Sequence, residues 1–476
     1  MNESTDISYT FALLVISKKR NSVMSRTDSF IVCKEAEAAW SSAEIRDIVR
    51  RSQADYTLIY THPKPLQLGL FALERFVAVA DDSGAGLVYS DYYEWREGKR
   101  YPRPVIDYQQ GSLRNDFHFG SVLLFRTEAL RKAAEAADTD YRYAGLYDIR
   151  LKVSQQYPLV HINEYLYTAV KPDARKSDEK QFDYVDARNR EVQMEMETAC
   201  TNHLRQTGAY LPPQFKEIDL NGETFATEAS VIIPVRNRVR TIRDALRSAA
   251  SQQTSFAYNI ILIDNHSTDG TTEAAASYPL KEESAALCRG IIRVIPERTD
   301  LGIGGCWNLG IHHPDCGKFA VQLDSDDVYS DKHALQKIVD AFYEQKCAMI
   351  AGTYQMTDFD MNPIPPGIID HREWTPANGR NNALRINGLG APRAFYTPVL
   401  RQINFPDTSY GEDYAIGLRI SRDYQIGRIY EVLYLCRRWE DNSDAAPDTE
   451  KANRFDTYKD RIRTWELQAR IKKAKG

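Results

Sequence analysis

The chain lacks several features that would each have set its class. No apolar stretch approaches the roughly 20 residues that a helix needs to cross a bilayer. No Cys-x-x-Cys pair is present. The 7 cysteines, at positions 33, 200, 288, 306, 316, 347 and 436, are scattered and odd in number, which argues against a disulfide framework and suits a reducing compartment. There are only 9 histidines, and no His or Cys spacing matches a metal site; His266 reads as a turn residue. The net charge of −5 leaves no strongly basic domain for nucleic acid. Gly302, Gly304 and Gly305 lack the Gly-Lys-Ser/Thr ending of a phosphate loop and read instead as points of close backbone approach. The start, Met1-Asn2-Glu3-Ser4-Thr5-Asp6, is acidic and has no charged-then-apolar leader pattern. The expectation is a cytoplasmic chain, peripheral to the inner face of a membrane at most. At 476 residues it exceeds one hydrophobic core and should hold two domains or more.

What is present is a pattern of buried strands ending in polar groups. The apolar run Phe319-Ala320-Val321-Gln322-Leu323 empties into Asp324-Ser325-Asp326-Asp327, which sets hard oxygen ligands on one rim of a sheet. Mg²⁺ or Mn²⁺ takes one or two such carboxylates together with substrate phosphates; an acidic turn capping a helix is the plainer reading. Upstream, Ala229-Ser230-Val231-Ile232-Ile233-Pro234-Val235-Arg236-Asn237 reads as a buried strand, with helix-like residues 241–252 after it. Next comes the β-branched run from Asn259 to Asp264, followed by a turn rich in Asp, Ser and Gly. Strands alternating with helices predict an α/β sheet that binds its ligands beyond the carboxyl ends of its strands, where Pro234, Asp264 and Asp324 fall. Downstream, Glu412-Asp413 heads a helix-like segment, where both acids would also favour the helix dipole.

Residues 231–237, 261–271, 304–310 and 323–327, in that order and spacing, resemble the family 2 glycosyltransferases of the GT-A fold. Ser409-Tyr410-Gly411-Glu412-Asp413-Tyr414 is similar to the family's Glu-Asp motif, and Tyr434-Leu435-Cys436-Arg437-Arg438-Trp439 with Asn442-Ser443 to its closing segment. The resemblance covers residues 227–444. It implies a Rossmann-like mixed sheet with flanking helices and an inverting, metal-dependent transfer of sugar. The donor would be a nucleoside diphosphate sugar, a UDP-sugar first, and the acceptor a hydroxyl of a glycan or lipid-linked glycan in surface polysaccharide synthesis. It also implies roles. Asp413, with Glu412, would be the base; Asp326 the main metal ligand, with Asp324 and Asp327; Asp324 and Ser325 would touch the donor. Pro234, Val235, Arg236 and Asn237 would wall the nucleoside pocket, Asp264 would hold the base moiety, and Asn308 would face the donor. Mn²⁺ or Mg²⁺ is the implied cofactor. Two departures stand out: Trp307 where many relatives carry a basic residue, and Asn265 where a second Asp is frequent. Asp264 has a second reading as a turn former, and Trp374 reads equally as a sugar-stacking or an ordinary packed ring. The competing readings are a sugar-phosphate nucleotidyltransferase, slightly favoured by Arg236, Arg238 and Arg240, and a non-catalytic glycan-binding scaffold.

The first part of the chain repeats the pattern of the second. Residues 54–63 align with 317–326, 72–77 with 334–339, 86–91 with 349–354, 120–127 with 390–397, and 147–154 with 414–421. In this copy Thr61 and Pro63 stand where Asp324 and Asp326 stand, and Gly145-Leu146 where Glu412-Asp413 stand. Asp91 and Asp148 are the only tempting acids of this copy, and both read as turn or helix-face residues. The predicted fold is therefore two GT-A-like domains in tandem. Residues 1–170 form a degenerate copy for packing, acceptor binding or dimerisation, 171–226 a charged helical linker, 227–445 the catalytic domain, and 446–476 a basic helix. That helix would meet an anionic membrane face or pack its few apolar residues on the catalytic domain.

Overall fold

The computed structural model describes residues 11–16, 30–33, 40–61, 66–170, 189–279, 285–439 and 448–475. Pro63, residues 171–188 of the expected linker and Asn442-Ser443 lie outside them. The chain divides into two units: Met1–Ser177 with Arg188–Tyr210 and Ala446–Gly476, and Asp178–Ala187 with Leu211–Ala445.

In the first unit one sheet has the order β2-β1-β3-β8-β5-β9, from β1 (Phe11–Ile16), β2 (Phe30–Cys33), β3 (Tyr56–Tyr60), β5 (Leu87–Ser90), β8 (Val122–Arg126) and β9 (Leu159–Ile162). A smaller sheet joins β4 (Leu66–Leu68), β10 (Tyr167–Val170), β6 (Tyr92–Arg96) and β7 (Lys99–Arg103) in that order. The core gathers Phe76 from the helix Ala72–Ser83 with Leu87, Val88, Leu124 and Phe125 from the strands. The helix Arg190–Thr207, expected within the linker, buries Ala199, Cys200 and Leu204 and packs on the helix Gly145–Ser154 of this unit, so one of its faces is core rather than solvated.

The C-terminal helix, Thr449–Lys475, also belongs to this unit rather than to the second. Its buried face is mostly charge. Arg463 pairs with Asp460 at 2.8 Å and Arg470 with Glu466 at 2.7 Å, and Asp460 accepts from Ser112 Oγ at 2.9 Å. Gly111 lies so close that a Cβ there would stand 2.2 Å from Thr464 N. Part of the basic run is thus neutralised inside the protein, whereas Trp465 is exposed. Among the described residues no helix is long and apolar enough to cross a membrane.

The second unit is one mixed sheet of β13 (Cys288–Val294), β12 (Tyr258–Asp264), β11 (Ala229–Val235), β14 (Phe319–Gln322), β18 (Arg393–Tyr396), β16 (Met349–Thr357), β19 (Ile426–Arg437) and β15 (Val328–Tyr329), in that order. An outlying strand, β17 (Pro363–Ile369), pairs with β16. β13, β12, β11 and β14 run parallel, and β11, β12 and β14 are buried almost throughout, as continuous apolar runs covered on both faces must be. Pro234 fits inside β11 for a local reason. Ile232 O accepts from Leu323 N on the β14 side and Val235 O accepts from Asn265 N on the β12 side. By alternation Pro234 faces the β14 side, beyond the last β11–β14 pair at Ile232 and Gln322, so its missing N–H breaks no ladder bond.

Four strands of each unit follow one rule. β3 is antiparallel to β8, β8 to β5, and β5 parallel to β9; β14 is antiparallel to β18, β18 to β16, and β16 parallel to β19. The strands beyond them differ: β1 runs antiparallel to β3, whereas β11 runs parallel to β14.

Candidate active site

The carboxyl ends of β11, β12 and β14 and the head of the helix Glu412–Ser421 bear nearly all the residues expected from sequence. Pro234 and Val235 end β11; Val235 is buried, while Arg236 and Asn237 are exposed at the rim. Asn237, at φ 53°, takes Thr268 N on its Oδ1 at 2.8 Å and so ties the two rim loops together. Asp264 is buried at the end of β12. Its Oδ1 accepts from Ser267 N at 3.0 Å and its Oδ2 from Thr272 Oγ1 at 2.5 Å, which makes it the organiser of its own turn.

Asp324, Ser325, Asp326 and Asp327 turn off β14. Gln322 Nε2 donates to both carboxylate oxygens of Asp324, at 3.0 and 2.9 Å, and the Asp324 N–H donates to Tyr434 Oη at 2.9 Å. Burial pushes its carboxyl up, against the pull of Arg393. Asp327 lies well above the usual carboxylate range, through burial first and then the charges of Asp326 and Asp324. Asp326 Oδ2 stands 3.5 Å from Arg238 Nε and accepts from Trp439 Nε1 at 3.4 Å. Behind them Trp439 and Phe359 stack with Arg240, at 5.1 and 5.3 Å from the ring centroids, and Arg437 covers Phe359 at 4.9 Å.

Crowded carboxylates are what a divalent cation relieves, so Asp324, whose burial opposes its charge, and its neighbour Asp326 fit such an ion, which needs only one or two protein carboxylates beside phosphate oxygens. Asp327 is more enclosed: it is 4% exposed, and its Oδ1 accepts Arg437 N at 2.8 Å, which fastens β19 to the loop. Among the described residues no three His, Cys, Asp or Glu side chains converge as a ligand set.

Asn308 Nδ2 donates to Phe405 O at 2.9 Å and its Oδ1 accepts from Phe405 N at 2.8 Å, a reciprocal clamp. Trp307 is buried between Phe395 and Phe405. The glycines act through closeness: a Cβ on Gly304 would stand 1.9 Å from Pro406 O, and one on Gly302 2.5 Å from Thr408 C. This seats the helix Ile303–His312 directly on the segment that leads to Glu412. Trp374 is a packed ring, covering Gly379.

Glu412 and Asp413 open their helix behind Gly411, whose φ of 75° is a left-handed turn suited to glycine. Burial first, then Asp413, pushes Glu412 up to about 8, and its Oε2 is shielded from solvent without a hydrogen-bond partner. Asp413 Oδ2 stands 2.8 Å from Arg393 Nη1, and its Oδ1 accepts from Tyr414 N at 2.7 Å. Arg393 and Gln322 were missed as site residues. Burial works against the Arg393 charge, but Asp413, Asp324 and Glu412 outweigh it and keep the guanidinium protonated. A polar Gln in the otherwise apolar β14 was the one available sign; nothing local marks Arg393.

Residues 230–403 match the family model described as Glycosyl transferase family 2. The O-antigen chain rhamnosyltransferase WbaN of Salmonella anatum is 27% identical over 135 residues, 28% of this chain and 39% of that protein. An uncharacterized glycosyltransferase of Rickettsia felis is 27% identical over 256 residues, 51% of this chain and 40% of that protein. The matched part thus spans about two fifths of the length of these relatives. S. aureus TarS, solved in complex with UDP-GlcNAc, is 20% identical with a TM-score of 0.38, over 51% of this chain and 72% of that one. The mannosyltransferase PcManGT of Pyrobaculum calidifontis, solved with GDP-Man and Mn²⁺, is 15% identical with a TM-score of 0.36, over 59% of this chain and 84% of that one. The second unit of this chain contains a family 2 glycosyltransferase domain.

Proposed function

We propose that the second unit moves a sugar from a nucleoside diphosphate sugar, a UDP-sugar first, to an acceptor hydroxyl with inversion at the anomeric carbon. The observation that carries this reading is the continuous link from Asp324 through Gln322 and Arg393 to Asp413, with one half-buried cation between a donor-side carboxylate and an acceptor-side carboxylate. Pro234, Val235 and Arg236 line the nucleoside side, with Asp264 shaping the loop beneath. Asp324 and Asp326 would hold Mn²⁺ or Mg²⁺, which when bound supplies positive charge to the departing diphosphate. Arg238, beside Asp326, adds charge on the same side. Asp413 removes the hydroxyl proton as the acceptor oxygen attacks the face opposite the leaving diphosphate. Glu412, pushed up to about 8, holds its proton near neutral pH and leaves Asp413 as the charged member of the pair. The named relative in O-antigen synthesis supports an acceptor among surface polysaccharides, lipid-linked or free.

The first unit fits a degenerate copy. Its four-strand pattern matches that of the second unit, Gly145 and Leu146 open the helix aligned with Glu412–Ser421, and a Cβ on Gly145 would stand 2.5 Å from Ser41 C, so a Glu is barred there. Asp148 is held in a buried pair with Lys152 at 2.7 Å, and Asp91 accepts from Val105 N and bonds His161. Neither acid is available as a base. Calorimetric titration with UDP and Mn²⁺ should show about one site per chain, and Asp326→Ala should abolish both that site and transfer. Wild-type turnover in Asp326→Ala, or two metal-dependent sites per chain, would overturn the reading.

A further inference from the structure

Arg393 sits on β18 between β14 and β16, with its N–H donating to Gln322 Oε1 at 3.0 Å and its Nη1 to Gly390 O at 2.9 Å. The same Nη1 stands 2.8 Å from Asp413 Oδ2. Glu412 beside it and Arg393 from β18 face Asp413, and the same guanidinium also feels the charges of Asp324 and Tyr434. Two adjacent carboxyls crowded together cannot both be charged at low cost. The ion pair selects which one is: Asp413 meets the guanidinium, while Oε2 of Glu412 meets no donor. With Tyr414 N on the other oxygen, the plane of the Asp413 carboxylate is fixed at both ends.

We propose that Arg393 is the positioning residue of the transfer step: it holds Asp413 as the charged, aimed carboxylate and, through Gln322, sets it in register with the donor-side Asp324. The proposal rests on the transfer reading above and adds to it a residue that touches neither donor nor acceptor. It has a consequence for rate and pH. An arginine beside a base keeps it ionised to lower pH, so removing the cation moves the acid limb of activity upward.

The test compares full-length wild type, Arg393→Gln and Arg393→Lys. In the Gln variant kcat should fall on the order of 10-fold to 100-fold, the affinity for UDP with Mn²⁺ should stay within about 3-fold, and the acid limb of kcat should move up by about one pH unit. The Lys variant, which keeps the charge and loses the fork, should return most of the pH limb and only part of kcat. A second readout does not need turnover: with ¹³C-labelled Asp, the Asp413 carboxyl signal, assigned by its loss in Asp413→Asn, should titrate at higher pH in Arg393→Gln than in wild type. An unmoved Asp413 titration overturns the proposal, as does a collapse of UDP affinity, which would make Arg393 a donor ligand. Loss of cooperative unfolding in both variants would assign Arg393 to the fold alone and also overturn it. If wild type transfers no sugar while the carboxyl shift appears, the transfer reading fails and the pairing role stands.

Discussion

Replacing Glu412 by Gln removes one proton-binding group from the second unit at nearly constant size. The wild-type carboxyl is pushed up to about 8 by burial and by Asp413, against an unfolded value of 4.5. Below pH 4.5 it is protonated in both folded and unfolded chains. Between the two values the unfolded chain ionises while the folded one keeps its proton, so stability falls as pH rises, and the loss is complete above about 8. A span of 8 − 4.5 = 3.5 units at about 1.4 kcal/mol each sets a ceiling of about 5 kcal/mol for a lone group. Glu412 keeps some contact with solvent and shares its charge with Asp413 and Arg393, so about 2–3 kcal/mol is expected. Urea unfolding of the metal-free protein from pH 5 to 9 measures it, following the transition of the second unit. Relative to wild type, the Gln variant should gain stability steadily with pH and show its largest advantage near pH 9. Parallel pH profiles for the two proteins would refute the argument, because they would mean that Glu412 ionises as freely in the fold as out of it.

Asp413→Asn keeps the shape and removes the basicity, so turnover should fall by on the order of 10²-fold or more with UDP affinity little changed; collapse of donor binding with intact chemistry would make Asp413 structural. Gly304→Ala forces a Cβ to within 1.9 Å of Pro406 O, so the helix must lift from the segment before Glu412. The expected cost is about 1–3 kcal/mol with a parallel drop in kcat, read by denaturation and kinetics; an unaltered midpoint would contradict the packing described. In the first unit, burial holds His203 at about 4, below its unfolded 6.5, with Arg150 and Lys152 adding to the effect. Its contribution is present above pH 6.5 and lost as pH falls toward 4, on the order of 3 kcal/mol; His203→Gln should remove that acid sensitivity from the unfolding of this unit, and an unchanged acid limb would count against it.

Several features were legible in the chain because they are local. Apolar β-branched runs such as those at 229–235 and 258–264 read as buried strands, and carboxylates at the ends of parallel strands lie on one rim of the sheet. The helix-heading Glu412-Asp413 is likewise a matter of short range. What the sequence could not decide was which polar group meets which. Asp327 and Asp326 are neighbours of one type, yet only the arrival of Arg437 N from β19 turns Asp327 into a fastener. Asn308 sits in a family motif, and a loop 97 residues away claims its amide. Arg393 carries no local mark, because its role arises from three carboxyl groups brought together by β14, β18 and the helix at 412. The C-terminal helix looked basic and solvated until Asp460 and Glu466 neutralised Arg463 and Arg470 within the first unit. Strand identity follows from the chain's own periodicity. The charge state and bonding of each acid follow from desolvation and from partners distant in sequence, and those exist only once the sheet has closed around them.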